Sequence, residues 1–575
     1  MRELASDAHR FFACKDYFRL PLLSLPSLCE LRRFSLRPPS RRLPVLRLFC
    51  YRAMASSSPP IHVKDKIELV EKEKQIFHRL LEVLQHFNLQ TQLRVAGGWV
   101  RDKLLGKDCY DIDIALDNML GREFCEKVNE YLSYCGEETQ GIGVIQCNPD
   151  QSKHLETARM RLFDIWIDFV NLRSEHYSEN SRIPTMKFGS AEEDAFRRDL
   201  TINSLFYNIN TSSVEDFTKR GVADLKSGKI VTPLPPKETF LDDPLRVLRA
   251  IRFGARFGFV IDEELKEAAS CDKVKAAIAD KVSRERIGHE IDLMISGNQP
   301  VKAMTHICDL QLFWVIFSLP DKYEPIIAEG CERTCIAHMD AAFNLLQQIE
   351  CPTITDEQIR LYLFGALFLP LRKSVYRDNK GKKIPLVNHV FRNSLKLKAS
   401  DAEMVISLHN ASERFISLIP LIALNEEGKI EVDLGREEID VPVDSRRRIL
   451  AGLLLREIKG FWRVALLMST LLYPINPKQN EELLDRHFEL EKSRELFKRV
   501  ENKIVDLGLE NVWELKPLVN GKDIMNVLQL KTGGPQVKEW QQRLLEWQLA
   551  HPYGTAEECL DWMRQTHSKR AKLEQ

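Results

Sequence analysis

The stretch 97–116, GGWVRDKLLGKDCYDIDIAL, constrains the fold of this chain more than any other part of it. The short apolar segment LRVA at 93–96 predicts a strand, which the two glycines then end. Apolar residues at Val100, Leu104 and Leu105 predict a short helix closed by a glycine. The alternating pattern of YDIDIAL predicts a second strand, so the chain is expected to run strand, turn, helix, strand.

The predicted turn between the first strand and the helix is suited to phosphate. Gly97 and Gly98 let the backbone approach a ligand closely, and a helix start offers N–H groups and the positive end of the helix dipole. Arg101 adds a fixed positive charge close by. These three residues are therefore candidate phosphate-binding residues.

Asp111 and Asp113 lie one residue apart on the second predicted strand. Residues i and i+2 of a strand face the same side about 6–7 Å apart, so the two carboxylates repel unless a cation lies between them. Two Mg²⁺ ions in phosphoryl-transfer sites lie about 3.5–4 Å apart, a spacing that such a pair can bracket. A solvent-facing edge strand would explain the acids alone. Their combination with Gly-Gly-x-x-Arg-Asp favours catalytic aspartates that bind two Mg²⁺ ions.

A third carboxylate is expected from a neighbouring strand. The segment 164–173, DIWIDFVNLR, alternates as a strand does, with Asp168 in its middle. Asp168 is predicted to complete the catalytic set, with Asp164 and Glu156 as alternatives. The alternative is that Asp168 is an ordinary surface acid on a strand, with no catalytic role.

The combined motif resembles the nucleotidyltransferase signature of the polymerase-β-type superfamily. The branch that it resembles contains the class II tRNA nucleotidyltransferases (CCA-adding enzymes) and the bacterial poly(A) polymerases, with a eukaryotic, plant-like character. The resemblance implies an α+β head with a small mixed β-sheet, followed by an all-α C-terminal region. It further implies a catalytic head at 62–210, a helical neck at 211–300, a helical body at 301–450 and a helical tail at 451–575.

The resemblance also assigns the segment 197–205, RRDLTINSL. It implies that Arg198, Asp199 and Asn203 serve the ribose and triphosphate of a nucleotide. A carboxylate can accept a hydrogen bond from a ribose 2′-OH, and arginine suits phosphate. Outside this context Arg-Arg-Asp would be a surface ion pair.

The segment 241–259, LDDPLRVLRAIRFGARFGF, predicts a helix that begins at Pro244 with Asp243 as its N-cap. At about 100° per residue, one face is apolar and the other carries four arginines. These are Arg246, Arg249, Arg252 and Arg256. Without the resemblance, the segment is a capped helix with a solvated basic face.

The resemblance implies that this helix reads a base. Asp243 and Arg246 are three residues apart and share one side of the helix. A carboxylate that only accepts and a guanidinium that only donates can complement the Watson–Crick edges of cytosine and adenine. Arg249 and Arg252 are assigned with them as nucleotide-binding residues. The following segment, 282–295, matches a helix that supports this region.

Beyond Pro300 the pattern is helical. The segment 371–398 holds nine Lys and Arg against one Asp, with aromatic residues between them. It is the predicted surface for the tRNA backbone, with a solvated loop as the alternative. The apolar stretch at 464–475 is too short to span a bilayer and predicts a buried helix, so no membrane partner is expected.

The resemblance implies addition of C-C-A to tRNA 3′ ends from CTP and ATP, without a nucleic-acid template. A poly(A) polymerase, or a partial enzyme that adds only C-C or only A, is the alternative within the family. A catalytically inactive RNA-binding protein is the alternative from a different class, and the intact Asp111, Asp113 and Asp243 argue against it. The oligomeric state is not indicated.

Residues 1–53 differ from the rest of the chain. From 31 to 53 there are seven arginines and no acid, among serines, prolines and leucines. This composition is typical of a mitochondrial or plastid transit peptide, with a disordered basic arm that contacts RNA as the alternative. Met54 provides a second start, so a shorter form is expected in the cytoplasm and nucleus.

A fusion of residues 1–60 to a fluorescent protein tests this expectation. The basic, acid-poor segment should direct the reporter to an organelle. The matched control is the full chain started at Met54, which should stay outside organelles. Microscopy that finds the 1–60 fusion purely diffuse would refute the two-compartment hypothesis.

Overall fold

The structure is a computed structural model that describes residues 62–145, 157–176, 185–349, 353–423, 443–473 and 489–573. The predicted transit peptide, the second start at Met54 and the alternative acid Glu156 lie outside these residues.

Fourteen strands occur in the described part of the chain. In chain order they are β1 Leu93–Ala96, β2 Ile112–Leu116, β3 Ile142–Ile145, β4 Thr157–Leu162, β5 Ile165–Asn171, β6 Arg173–His176, β7 Thr185–Phe188, β8 Phe206–Asn208, β9 Ser213–Glu215, β10 Lys229–Ile230, β11 Val260–Ile261, β12 Tyr323–Glu324, β13 Val375–Arg377 and β14 Lys383–Pro385.

The described part of the chain also contains twenty-two α-helices. They are α1 Glu71–His86, α2 Gly98–Leu104, α3 Gly121–Tyr134, α4 Ala191–Phe196, α5 Gly221–Ser227, α6 Pro236–Asp242, α7 Leu245–Phe257, α8 Glu263–Ser270, α9 Asp272–Lys281, α10 Arg284–Ile295, α11 Pro300–Asp309, α12 Phe313–Ile316, α13 Cys331–Gln348, α14 Asp356–Leu367, α15 Leu386–His389, α16 Ala399–Ala423, α17 Val443–Ile458, α18 Trp462–Leu472, α19 Leu490–Asp506, α20 Gly521–Val527, α21 Pro535–Ala550 and α22 Ala556–Leu573.

The head is built on one seven-stranded mixed sheet with the order β3-β4-β5-β2-β1-β8-β9. Strands β2 and β5 are parallel, and every other neighbouring pair in this sheet is antiparallel. The predicted strand, turn, helix and strand are confirmed as β1, α2 and β2. The strand predicted around Asp168 is confirmed as β5.

The two faces of the head sheet differ because side chains alternate along each strand. In β5, Ile167 and Phe169 are fully buried, whereas Trp166 and Asp168 point to the opposite side. Helix α3 covers the apolar face, where Phe124 packs against Phe169 with ring centroids 5.4 Å apart. The other face is left to carry polar side chains.

The neck follows as helices α5 to α10. The arginine-rich helix begins at Leu245 with Pro244 as its N-cap residue, so the predicted start at Pro244 with Asp243 as N-cap is wrong by one residue. The preceding helix α6 ends at Asp242 and leaves Asp243 extended, with φ −131° and ψ 98°. The carboxylate of Asp243 still accepts a hydrogen bond from the Leu245 N–H, at 3.3 Å.

The region beyond Pro300 is mostly helical, as predicted, with one addition. Strands β12, β13 and β14 form a small antiparallel sheet within it. Residues 464–472 of the apolar stretch lie in the buried helix α18, which packs against α16 and α19. No helix in the described ranges combines the length and the apolar character that crossing a membrane requires. Helices α20 to α22 bury a separate apolar cluster that includes Trp540 and Trp547.

Gly288 provides a test of how the neck packs against the body. A Cβ at this position of α10 would lie 1.7 Å from the carbonyl oxygen of Leu395, which is backbone and cannot turn away. We expect Gly288→Ala to destabilise the protein by about 1–3 kcal/mol, the range found for overpacked cores. Thermal unfolding followed by circular dichroism measures this.

Gly460→Ala is the matched control for that variant. Gly460 is exposed, and a Cβ there would lie 3.9 Å from Gln358 Nε2, which is ordinary van der Waals contact. Its melting temperature should stay close to that of the wild type, because surface changes are usually worth within about 0.5 kcal/mol. Equal melting temperatures for both variants would contradict the close packing of α10 on Leu395.

Candidate active site

The turn after β1 is formed as predicted and brings three motif residues together. Gly97 has a positive φ of 69°. A Cβ there would lie 2.9 Å from Arg198 Nη1 and 3.2 Å from the Asn203 carbonyl oxygen, so this position requires glycine. Gly98 is the first residue of α2. The glycine turn is thus closely packed against the Arg-Arg-Asp segment of the chain.

Arg101 is buried beneath this turn rather than exposed on it, with 3% of its surface accessible. Its Nε donates to Asp102 Oδ1 at 2.8 Å, and its Nη1 donates to Asn203 Oδ1. The side chain also lies over the ring of Phe257, at 4.7 Å from the centroid. Arg101 therefore supports the turn from below and orients Asn203.

The carboxylates meet on the polar face of the head sheet. Asp113 on β2 is in register with Asp168 on the parallel strand β5. Asp111 comes directly before β2 and is exposed. Burial, followed by the negative charges of Asp111 and Asp168, raises the pKa of Asp113 to about 7. Asp111 and Asp168 are therefore both close enough to Asp113 to repel its charge.

The structure distinguishes Asp168 from Asp164 as the candidate for the third carboxylate. Asp164 lies in the turn between β4 and β5, where its side chain is 75% exposed and pairs with Arg161 at 3.2 Å. Asp168 lies mid-strand beside Asp113, and its carboxylate receives Arg159 Nε at 2.6 Å and Nη2 at 3.1 Å. The placement favours Asp168, and its catalytic role stays a prediction.

The carboxylates suit a divalent metal ion, because carboxylate oxygens are ligands that Mg²⁺ takes in proteins. Burial and then the repulsion from Asp111 and Asp168 raise the pKa of Asp113, and a bound cation would relieve the repulsion. Among the described residues no group of three or more His, Cys, Asp or Glu side chains is arranged to hold a metal. A pair of carboxylates is nevertheless sufficient for Mg²⁺, which commonly takes its other ligands from water and substrate phosphates.

The Arg-Arg-Asp segment is held by ion pairs. Arg198 donates to Asp194 Oδ2 from Nε and Nη2, at 3.0 and 2.7 Å. Asp199 is buried and accepts from Arg249 Nε at 2.7 Å and from Asn203 Nδ2 at 3.1 Å. Burial alone would raise the pKa of Asp199, but the Arg249 charge and these hydrogen bonds lower it to about 2. Asp199 is thus an ionised link between the head and helix α7.

The predicted base-reading residues Asp243 and Arg246 are both fixed by neighbours. Asp243 Oδ2 accepts from Arg286 Nη2 of α10 at 2.8 Å. Arg246 is 7% exposed, and its Nη2 donates to the carbonyl oxygen of Arg197 at 2.7 Å with Glu175 Oε2 3.7 Å away. The two side chains are therefore pre-oriented before any nucleotide binds.

The remaining arginines of α7 also face acids. Arg252 Nε donates to Glu290 Oε2 at 2.6 Å, and Arg249 Nη1 lies 3.9 Å from Glu290 Oε1. Arg256 Nη2 lies 3.8 Å from Asp102. The basic face is thus packed against acids of the head and neck, so the solvated-face interpretation is wrong.

Several of these partners were missed by sequence reasoning. Glu290 and Arg286 are four residues apart on α10, so their common helix face was a readable signal. Asp194 precedes the Arg-Arg pair by a helical turn and gave a similar signal. Nothing in the sequence indicated Arg159 or Glu175, because only strand pairing and chain folding bring them to the site.

The fold and the site define a nucleotidyltransferase with a polymerase-β-type head. A family described as the poly A polymerase head domain matches residues 93–231. The chain is 34% identical to the mitochondrial CCA tRNA nucleotidyltransferase of Saccharomyces cerevisiae over 539 residues, which cover 87% of this chain and 94% of that protein. It is 33% identical to the tRNA nucleotidyltransferase cca2 of Schizosaccharomyces pombe over 511 residues, with 87% and 99% covered.

A solved structure supports the same fold. The CCA-adding enzyme of Bacillus stearothermophilus in complex with CTP is similar with a TM-score of 0.55 at 18% identity, over 88% of this chain and 100% of that chain. This chain belongs to the tRNA nucleotidyltransferase and poly(A) polymerase family. The family resemblance expected from the sequence motifs is confirmed, as are the mixed-sheet head and the helical C-terminal region.

The raised pKa of Asp113 predicts how stability depends on pH. An unfolded aspartate has a pKa of about 3.9, so between about pH 4 and 7 the folded metal-free chain binds the extra proton. Its free energy of unfolding should therefore decrease as pH rises through that window. Asp113→Asn removes this titrating group. The free energy of unfolding of the variant should therefore decrease less with rising pH, and nucleotide incorporation should be lost.

Melting temperatures in EDTA between about pH 5 and 8 measure this effect. Asp108→Asn is the control, since Asp108 is an exposed acid on the loop before β2. It should follow the wild-type pH profile. An Asp113→Asn profile that coincides with the wild type would mean that Asp113 is not buried against like charges.

Proposed function

We propose that this chain adds C-C-A to the 3′ end of tRNA, using CTP and ATP. The observation that carries the proposal is the continuous link from the glycine turn to helix α7, through Asn203, Asp199 and Arg249. It joins a site for phosphate and catalysis to a pair of base-reading side chains. A chain with this link can choose a nucleotide with protein groups alone.

The proposed reaction is a nucleotidyl transfer. The 3′-oxygen of the tRNA attacks the α-phosphorus of the nucleotide, a new P–O bond forms, the bond to the β-phosphate oxygen breaks and pyrophosphate leaves. The hydroxyl proton passes to solvent. Arg198 lies beside the glycine turn, where its positive charge suits a triphosphate.

We propose that Asp111 and Asp113 hold two Mg²⁺ ions, with Asp168 as the third carboxylate. Such ions, when bound, activate the attacking hydroxyl and stabilise the charge of the leaving group. Asp168 also forms an ion pair with Arg159. Strands β2 and β5 hold Asp113 and Asp168 side by side despite their repulsion, and Asp111 comes directly before β2.

The basic segment 371–398 is the proposed surface for the tRNA backbone. It forms the hairpin of β13 and β14, followed by α15 and a π-helical turn at Val390–Ser394. Arg377 and Lys383 share Glu324, at 3.7 and 3.1 Å. The other exposed cations of this segment are Lys373, Lys380, Lys382, Arg392, Lys396 and Lys398. Their positive charge is suited to phosphates that approach from solvent.

A mitochondrial location is the part of the predicted localisation that a relative supports, since the S. cerevisiae protein is named as mitochondrial. Plastid, cytoplasmic and nuclear pools stay predictions from the N-terminal segment and the second start. The reporter fusions described above distinguish them.

A single assay separates the proposed activity from its alternatives. Purified protein is incubated with tRNA that lacks its 3′ C-C-A and with each labelled nucleotide in turn. Addition of two C and one A supports the proposal. Long A tails indicate a poly(A) polymerase, C alone or A alone a partial enzyme, and no incorporation an inactive RNA-binding protein.

Variants of the base-reading pair test nucleotide selection. Asp243→Asn brings a donor where only an acceptor stood, and Arg246→Lys loses the planar fork that donates several hydrogen bonds. A mispaired buried hydrogen bond costs about 1–3 kcal/mol, or roughly a five- to hundred-fold loss of selection. Both variants should transfer nucleotides but admit UTP or GTP, as measured by incorporation of all four nucleotides.

Asp262→Asn is the matched control, because Asp262 caps α8 by accepting from the Glu264 N–H at 3.2 Å. Asparagine caps about as well as aspartate. This control should keep both its melting temperature and its CTP and ATP selection. Intact selection in Asp243→Asn as well would leave Asp243 with a structural role only.

A further inference from the structure

The polar face of the head sheet continues past the carboxylates onto strands β5 and β4. Asp113 is in register with Asp168, and Asp168 is in register with Arg159. The next row on the same face holds Trp166 on β5, paired with Arg161 on β4. Because side chains alternate along a strand, Trp166 and Asp168 project from the same side.

The side chains of Trp166, Arg159 and Arg161, beside the carboxylates, are exposed to solvent. Trp166 is 51% exposed, which is unusual for an indole on a central part of a sheet. The side chains of Arg159 and Arg161 are 45% and 51% exposed. Arg159 Cζ lies 5.9 Å from the centroid of the Trp166 ring. The face therefore presents one flat ring flanked by two guanidinium groups.

The order of the strands decides which substrate this face meets. The glycine turn follows β1, which lies on one side of β2. Helix α7 contacts Asp199, which lies in the segment before β8, and β8 is the other neighbour of β1. Strands β5 and β4 lie on the other side of β2. In phosphoryl transfer the attacking and leaving oxygens lie roughly in line on opposite sides of phosphorus. With the nucleotide on the β1 side, the attacking 3′-oxygen approaches from the β5 side.

We infer that Trp166, with Arg159 and Arg161, binds the 3′-terminal nucleotides of a single-stranded RNA acceptor. The indole stacks on a terminal base, and the guanidinium groups approach the backbone phosphates. Aromatic rings combined with cations are the usual means of binding single strands without dependence on sequence. Such a site tolerates an acceptor whose last base changes after each addition. This inference rests on the proposed function, and it assigns the acceptor to residues outside the nucleotide-binding motifs.

Trp166→Ala is compared with Trp166→Phe in the full chain. The acceptors are a tRNA that ends in C-C, with ATP as second substrate, and a single-stranded RNA hexamer that ends in C-C. Loss of one stacked base should raise the KM for tRNA and the Kd for the hexamer roughly 10-fold in the alanine variant. The KM for ATP should change by less than about two-fold, and Trp166→Phe should keep most of the affinity. The hexamer Kd is measured by fluorescence anisotropy in EDTA, so that it does not depend on turnover.

Tyr134→Ala is the matched control. Tyr134 is 73% exposed at the end of α3, the helix that covers the opposite face of the sheet. It should leave both constants unchanged. Equal effects of Tyr134→Ala and Trp166→Ala, or a KM for ATP that rises with that for tRNA, would overturn the inference.

Arg161→Gln gives a second test that does not require removal of the ring. Loss of one phosphate contact should reduce the slope of log Kd against log salt for the hexamer by about 0.7. An unchanged slope together with an unchanged hexamer Kd in Trp166→Ala would overturn the inference. If the wild-type chain extends tRNA but Trp166→Ala behaves identically, only the acceptor site is wrong; if the wild type extends no tRNA, the proposed function itself fails.

Discussion

The ion pair between Asp199 and Arg249 is the interaction on which the rest of the site depends. It joins the head, which carries the carboxylates, to the helix that carries the proposed base-reading residues, with 2.7 Å between the two charged groups. Both partners have further contacts, Asp199 with Asn203 and Arg249 with Glu290. Because removal of Arg249 would leave the Asp199 carboxylate buried without the cation that it pairs with, this link costs more to break than an exposed pair.

A chain of similar contacts extends from this pair in both directions. On one side Asn203 meets Arg101 beneath the glycine turn. On the other side Glu290 holds Arg252, and Arg286 from the same helix holds Asp243. Helix α10 therefore fixes Asp243 of the proposed base-reading pair, whereas Arg246 is held by the carbonyl oxygen of Arg197. The close approach of α10 to Leu395 at Gly288 connects Asp243 to the helical body.

Local sequence patterns were sufficient for the elements that hold the site. The glycine pair, the alternation around Asp113 and Asp168 and the spacing of arginines on α7 predicted strands and helices that the structure contains. The same patterns could not predict burial. Arg101 and Arg246 were expected to face a ligand, yet each is almost fully enclosed by groups distant in sequence. Arg159 could not be found because its proximity to Asp168 arises from the register of β4 and β5, which no short-range pattern specifies.

Asp199 and Asp113 hold protons with very different strength. The pKa of Asp199 is about 2, so its link to Arg249 stays ionised at any pH that a cell reaches. The pKa of Asp113 is raised to about 7, so the metal ion that we propose for this site must displace a proton there when the solution is neutral or acidic. Acidification should therefore slow catalysis by competing with the metal while it leaves the geometry of base selection intact. As pH falls, the rate of nucleotide transfer should therefore decrease before the selection of the base is affected.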